Sequence, residues 1–155
     1  MSAQSRLVRT ALAGLVLCGL AGRATAGADL VAFPTDFAEG VRYATVERGS
    51  IREEIFTSRK VLEAARTGRP LPSGTVITLV DYRDGKLFRY VVMEKRTGWG
   101  ADYPPEKRNG EWEFQAFNAD GSVNSRETLD RCFGCHRGQA LQDFVFTLDR
   151  MRSAR

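Results

Sequence analysis

The chain has 155 residues, 43% of them hydrophobic and 27% charged, with a formal net charge of +4. The charge comes largely from Arg6, Arg9 and Arg23; without them 20 basic residues face 19 acidic ones, a net charge of about +1. That balance gives no basis for nucleic-acid binding. Beyond residue 26 the chain is the length of one domain, with no internal repeat, low-complexity tract or second long apolar segment.

Residues 1–26 read as a cleavable secretory leader. Arg6 and Arg9 form its positive start, Ala11 to Ala21 its apolar stretch, and Ala24-Thr25-Ala26 its cleavage site. About 11 apolar residues fall short of the roughly 20 that span a bilayer, so no membrane span is expected in the mature form. Cys18 raises the alternative of a lipoprotein, but Leu17 before it is larger than such processing favours. The expected mature chain is a single domain over 27–155, exported to the periplasm.

Pro34-Thr35-Asp36 can open a short helix. Val41–Val46 and Ile51–Phe56 are strand-like and separated by Gly49. Ser58 is a candidate N-cap for a helix over 59–67, with Val61, Leu62 and Ala65 on one face. Thr75–Tyr82 carries the strongest strand signal, β-branched and nearly continuously apolar, as in a strand buried on both faces. Asp84-Gly85 predicts a hairpin that returns over Leu87–Lys95. A Gly- and Pro-rich loop over 98–110 precedes a strand over Glu111–Phe117, where Trp112, Phe114 and Ala116 share a face. Asn124 with Glu127 fits a capping box, predicting a helix from about 125. Leu141–Leu148 is a last apolar stretch, with Phe144 and Phe146 expected to pack at the edge of a bound group. The whole predicts an α+β fold: a mostly antiparallel β-sheet with a few short helices.

That predicted helix leads into Cys132-Phe133-Gly134-Cys135-His136. Cys-x-x-Cys-His is the attachment signature of c-type haem, with two thiols for the vinyl groups and a histidine for the iron. A redox dithiol has no need of the adjacent histidine, and a zinc knuckle needs two further ligands. Cys132 and Cys135 are the only cysteines after Cys18, and His136 is the only histidine. A single histidine rules out bis-histidine ligation within the chain. The sixth position is then open, or is filled by water, lysine, Met93 or Met151. An open position is the expectation. The four-helix cytochromes with a C-terminal haem motif need four long amphipathic helices. The hairpin over 75–95 and the period-2 pattern over 111–117 argue against that bundle.

Several segments together resemble the cytochrome P-460 family, which includes the cytochromes c′-beta. They are Pro72-Ser73-Gly74-Thr75-Val76, Val91-Val92-Met93-Glu94-Lys95, Gly110-Glu111-Trp112-Glu113-Phe114, Asp120-Gly121, the haem motif, and Asp143-Phe144-Val145-Phe146-Thr147. The resemblance implies a small exported homodimer, with one covalent haem c whose distal side faces the sheet. Cytochrome P-460 itself oxidises hydroxylamine through a haem crosslinked to lysine, whereas cytochrome c′-beta lacks the crosslink and binds nitric oxide behind an apolar wall. The family's crosslinking lysine stands on the strand after the Pro-x-Gly turn. Here Thr75–Arg83 contains no lysine, and Lys60, Lys86, Lys95 and Lys107 are the only ones in the chain. The expectation is therefore a five-coordinate haem protein binding nitric oxide or a similarly small ligand. Hydroxylamine oxidation is the alternative, and electron transfer to a protein partner with a methionine sixth ligand is a further one. Strand position nominates Val46, Thr78, Val80 and Met93 for the distal wall, with Glu94 as a proton acceptor if it faces inward. Met93 and Glu94 have opposite parity, so only one of them can face the iron.

Overall fold

The computed structural model describes residues 30–105 and 108–155. The expected leader over 1–26 and Lys107 lie outside the described residues. Five strands form one antiparallel sheet in chain order: β1 (Val41–Arg48), β2 (Ile51–Thr57), β3 (Val76–Arg83), β4 (Lys86–Lys95) and β5 (Trp112–Asn118). Three short helices join it: α1 (Arg59–Arg66), α2 (Asp130–Arg137) and α3 (Leu148–Ser153). No helix among the described residues is long and apolar enough to cross a membrane.

Local chemistry accounts for most of these boundaries. The β3–β4 turn needs positive φ at both central residues, and Asp84 (50°) with Gly85 (74°) meets that need. At the start of α1 the Ser58 hydroxyl accepts the Val61 N–H at 3.3 Å. The buried face of that helix is Val61, Leu62 and Ala65, as its spacing predicts. Leu62 and Ala65 belong to one core cluster with Leu148 and Met151 of α3. That last helix was not anticipated; the apolar stretch over Leu141–Leu148 hands over to it.

One expectation is corrected. No helix begins at 125: the Asn124 carboxamide oxygen accepts the Arg126 N–H at 3.1 Å, closing a turn instead. Glu127 leaves the capping role and pairs with Arg89 at 2.5 Å, so α2 starts only at Asp130. On β5 the face opposite Trp112, Phe114 and Ala116 is also covered, with Glu113 and Gln115 buried. Tyr103, in the loop before β5, donates its hydroxyl to Glu113 at 2.7 Å. Segment 31–37 covers the same back face beside Gln115, where Phe33 sits 5.0 Å from Tyr90 and 5.2 Å from Phe117, ring to ring.

Candidate functional site

α2 is short, and its position comes from packing rather than propensity. Phe133 points into the core, 4.9 Å from the Phe114 ring and 5.1 Å from Tyr103. Buried Asn109 donates to the Phe133 carbonyl at 3.0 Å. Cys132, Cys135 and His136 fall at positions i, i+3 and i+4, so they share one face of the helix. That face lines a cavity of about 470 Å³ whose other walls include Ile55, Ile77, Leu79, Val91, Met93 and Phe146.

The imidazole is held in one form. His136 Nδ1 lies 2.7 Å from the Phe144 carbonyl oxygen. A carbonyl can only accept, so Nδ1 carries the proton and Nε2 keeps its lone pair. Burial holds the His136 pKa below its ordinary value, against the opposing pull of that hydrogen bond. The ring is packed 4.9 Å from Phe114 and 5.0 Å from Phe146. The two thiols are free. Burial pushes the Cys132 thiol above its ordinary pKa, the reverse of what an activated redox dithiol requires. Among the described residues, no group of three or more His, Cys, Asp or Glu is arranged to hold a metal ion.

Charged groups stand at the cavity's margin, most of them paired, with Arg131 beside them. Arg48 meets Glu53 at 2.6 Å, and Arg89 meets Glu127 at 2.5 Å and buried Asp81 at 3.1 Å. Burial works against the Arg89 charge, but the two carboxylates hold its pKa above the ordinary value.

Of the residues nominated for the distal wall, Val46 and Met93 line this cavity together with the motif. Thr78, Val80 and Glu94 do not; they lie on the back face, where Glu94 pairs with Arg96 at 2.5 Å. A β-bulge explains the difference. From the turn, Arg83 pairs with Lys86 and Tyr82 with Leu87, a register that would put Met93 beside Val76 and on the face of Thr78 and Val80. The ladder shifts between Asp81 and Tyr82, so Asp81 pairs with Arg89, Leu79 with Val91 and Ile77 with Met93. One extra residue on β4 thus exchanges the faces. β3 is apolar at both parities, so composition leaves its cavity face undecided. Ile77 and Leu79 were missed for that reason, and Ile55 of β2 and Val91 of β4 were not nominated.

Lys60 and Lys86 are exposed. The Lys95 ammonium contacts the Asp143 carboxylate at 2.7 and 2.8 Å. No lysine among the described residues lines the cavity. Met151 is fully buried in the core between α1 and α3, away from the cavity.

The donor set of two thiols and a neutral imidazole, opening on a largely apolar cavity, fits a haem held by Cys132, Cys135 and His136. Fold and cavity together describe a small antiparallel-sheet protein able to house a large, mostly apolar cofactor. The family model for Cytochrome P460 matches residues 35–147, and the chain belongs to that family of haem-binding cytochromes. None of the curated proteins compared with the chain matches it.

Proposed function

We propose that this is an exported, periplasmic monohaem cytochrome of the c type. Its leader spans 1–26 and its single domain 27–155. Cys132 and Cys135 would hold the haem through thioethers and His136 would ligate its iron, leaving that iron free to take nitric oxide or a ligand of similar size. When bound, the haem supplies an iron atom that coordinates such a ligand. The family resemblance extends the proposal to a homodimer and to a protein redox partner.

The observation that carries this reading is the imidazole: neutral, tied at Nδ1 to the Phe144 carbonyl, and lining the same cavity as both thiols. The chain's other contributions follow from the walls. Ile77, Leu79 and Val91 offer no hydrogen-bonding group to a bound water, which favours an open sixth position. The cavity carboxylates Glu53 and Glu127 are each engaged by an arginine. A cavity without lysine among the described residues supports the nitric oxide reading over a crosslinked hydroxylamine oxidase. One observation favours a second reading: the Met93 thioether stands in the cavity wall, where it is a candidate sixth ligand for electron transfer.

Optical spectroscopy of the purified protein, with intact mass and tryptic mapping, separates the three. A high-spin spectrum that responds to nitric oxide on reduction is expected, with haem only on the peptide bearing Cys132 and Cys135. His136→Ala should keep that haem peptide but alter the spin state. A haem peptide that also contains a lysine establishes the hydroxylamine reading instead, and a low-spin spectrum abolished by Met93→Leu establishes electron transfer.

A further inference from the structure

The Phe144 carbonyl that fixes His136 belongs to an unusual piece of backbone. Asp143 (φ 51°) and Phe144 (φ 62°) are consecutive non-glycine residues in the left-handed region. Such residues visit that region singly and at a cost, and they persist only where their surroundings hold them. Here the hold is visible. The Asp143 carboxylate accepts the Leu71 N–H at 2.7 Å and both its oxygens contact the Lys95 ammonium, at 2.7 and 2.8 Å. Both side chains are mostly buried, at 12% and 13% exposure, so the pair is screened far less than a surface one. On the far side, the Phe144 N–H donates to Gln139 at 2.8 Å, and its ring sits where a Cβ on Gly110 would come within 2.9 Å.

We propose that Lys95 and Asp143 are positioning residues for the axial histidine. The Asp143 carboxylate ties the left-handed turn to the end of β4 through Lys95 and to the segment before β3 through the Leu71 N–H. The turn in turn aims the Phe144 carbonyl at His136 Nδ1. Groups that hydrogen-bond a ligating imidazole set its tautomer, its orientation and its donor strength. Lys95 therefore acts on the iron's ligand from two contacts away. The proposal rests on His136 being that ligand.

The test uses the haem-loaded protein and reads the Fe–His stretching band of its reduced form by resonance Raman spectroscopy. Asp143→Asn is the informative variant, because asparagine tolerates the left-handed conformation and removes only the charge. Lys95→Met removes the other partner, and Lys95→Arg restores a cation. The two charge-removing variants are expected to retain covalent haem while the band moves to lower wavenumber and broadens. Lys95→Arg should return it towards the wild-type position. A Phe117→Leu variant on the back face serves as a control for loss of stability alone, and its band should not move. An unmoved band in haem-loaded Asp143→Asn or Lys95→Met, or an equal shift in Phe117→Leu, overturns the proposal. A wild type that lacks the band has no five-coordinate, histidine-ligated haem, which fails the proposed function and is distinct from a failure of the positioning pair.

Discussion

The two faces of the sheet each carry apolar residues and a concavity, and they differ in chemistry rather than in volume. The back face has a groove of about 380 Å³ beside Phe37, Val76 and Thr78. No thiol or imidazole reaches it. Around it, edge-to-face aromatic contacts link Phe33, Phe37, Phe56, Tyr90 and Phe117, an arrangement that stabilises by packing alone. The opposite face has a cavity of similar size, but three donor side chains enter it from a single helical face. Space makes neither of them a site; the donors do.

The largest effect should come from removing those donors. Cys132→Ala combined with Cys135→Ala is expected to abolish covalent haem and to leave little folded protein, because a cavity that loses its occupant loses the binding contribution to stability. Acid–acetone extraction with far-ultraviolet circular dichroism checks both outcomes. A double variant that folds and keeps unextractable haem would equate the two faces.

The converse change is on the back face. Phe117 is buried against Phe33, and Phe117→Ala should cost about 3–5 kcal/mol of stability by denaturant unfolding. The optical spectrum of the surviving holoprotein should match the wild type. A spectral change would mean that the faces are coupled through the sheet.

How much of this was legible in the sequence differs between the faces for a physical reason. Hairpin, cap and haem motif are local signals: Asp84-Gly85, Ser58 and Cys132-Phe133-Gly134-Cys135-His136 each act within a few residues. Two of the four strand pairings, β1 with β2 and β3 with β4, follow from such short turns. The identity of the cavity wall does not, because one bulge beside Tyr82 exchanges the faces of everything beyond it. The burial of Glu113 and Gln115 was equally hidden, since residues distant in sequence cover them. Asn124 and Glu127 fitted a capping box, but Arg89 from β4 offered Glu127 a stronger partner than a backbone N–H.

A paired substitution across that parity sharpens the comparison at smaller amplitude. Leu79→Thr puts a hydroxyl into the cavity wall, where it can hold a water and should lower affinity for a diatomic ligand by several-fold. Thr78→Val, one residue away on the back face, should leave that affinity unchanged. Carbon monoxide titration of the reduced protein measures both. The reverse pattern would restore the unbulged register.

The smallest effect concerns the border of the cavity face, where β1 meets α3. The Tyr43 hydroxyl and Thr147 Oγ1 lie 2.7 Å apart, and Thr147 lines the cavity. The Tyr43 pKa is pushed up to about 12, chiefly by burial, with the Thr147 hydrogen bond and the Arg150 charge pulling the other way. A folded pKa above the ordinary value of 10 means that the fold favours the neutral phenol. The stability this contributes is therefore complete below pH 10 and is lost as pH rises from 10 towards 12. Tyr43→Phe cannot ionise, so it should lose less stability than the wild type across that window. Below pH 9 it should be less stable by about 1 kcal/mol, the net worth of one hydrogen bond. Thermal unfolding of both proteins at stepped pH makes the comparison. Curves that fall in parallel between pH 10 and 12 would show that the phenol titrates without burial, and that β1 and α3 part before Tyr43 ionises.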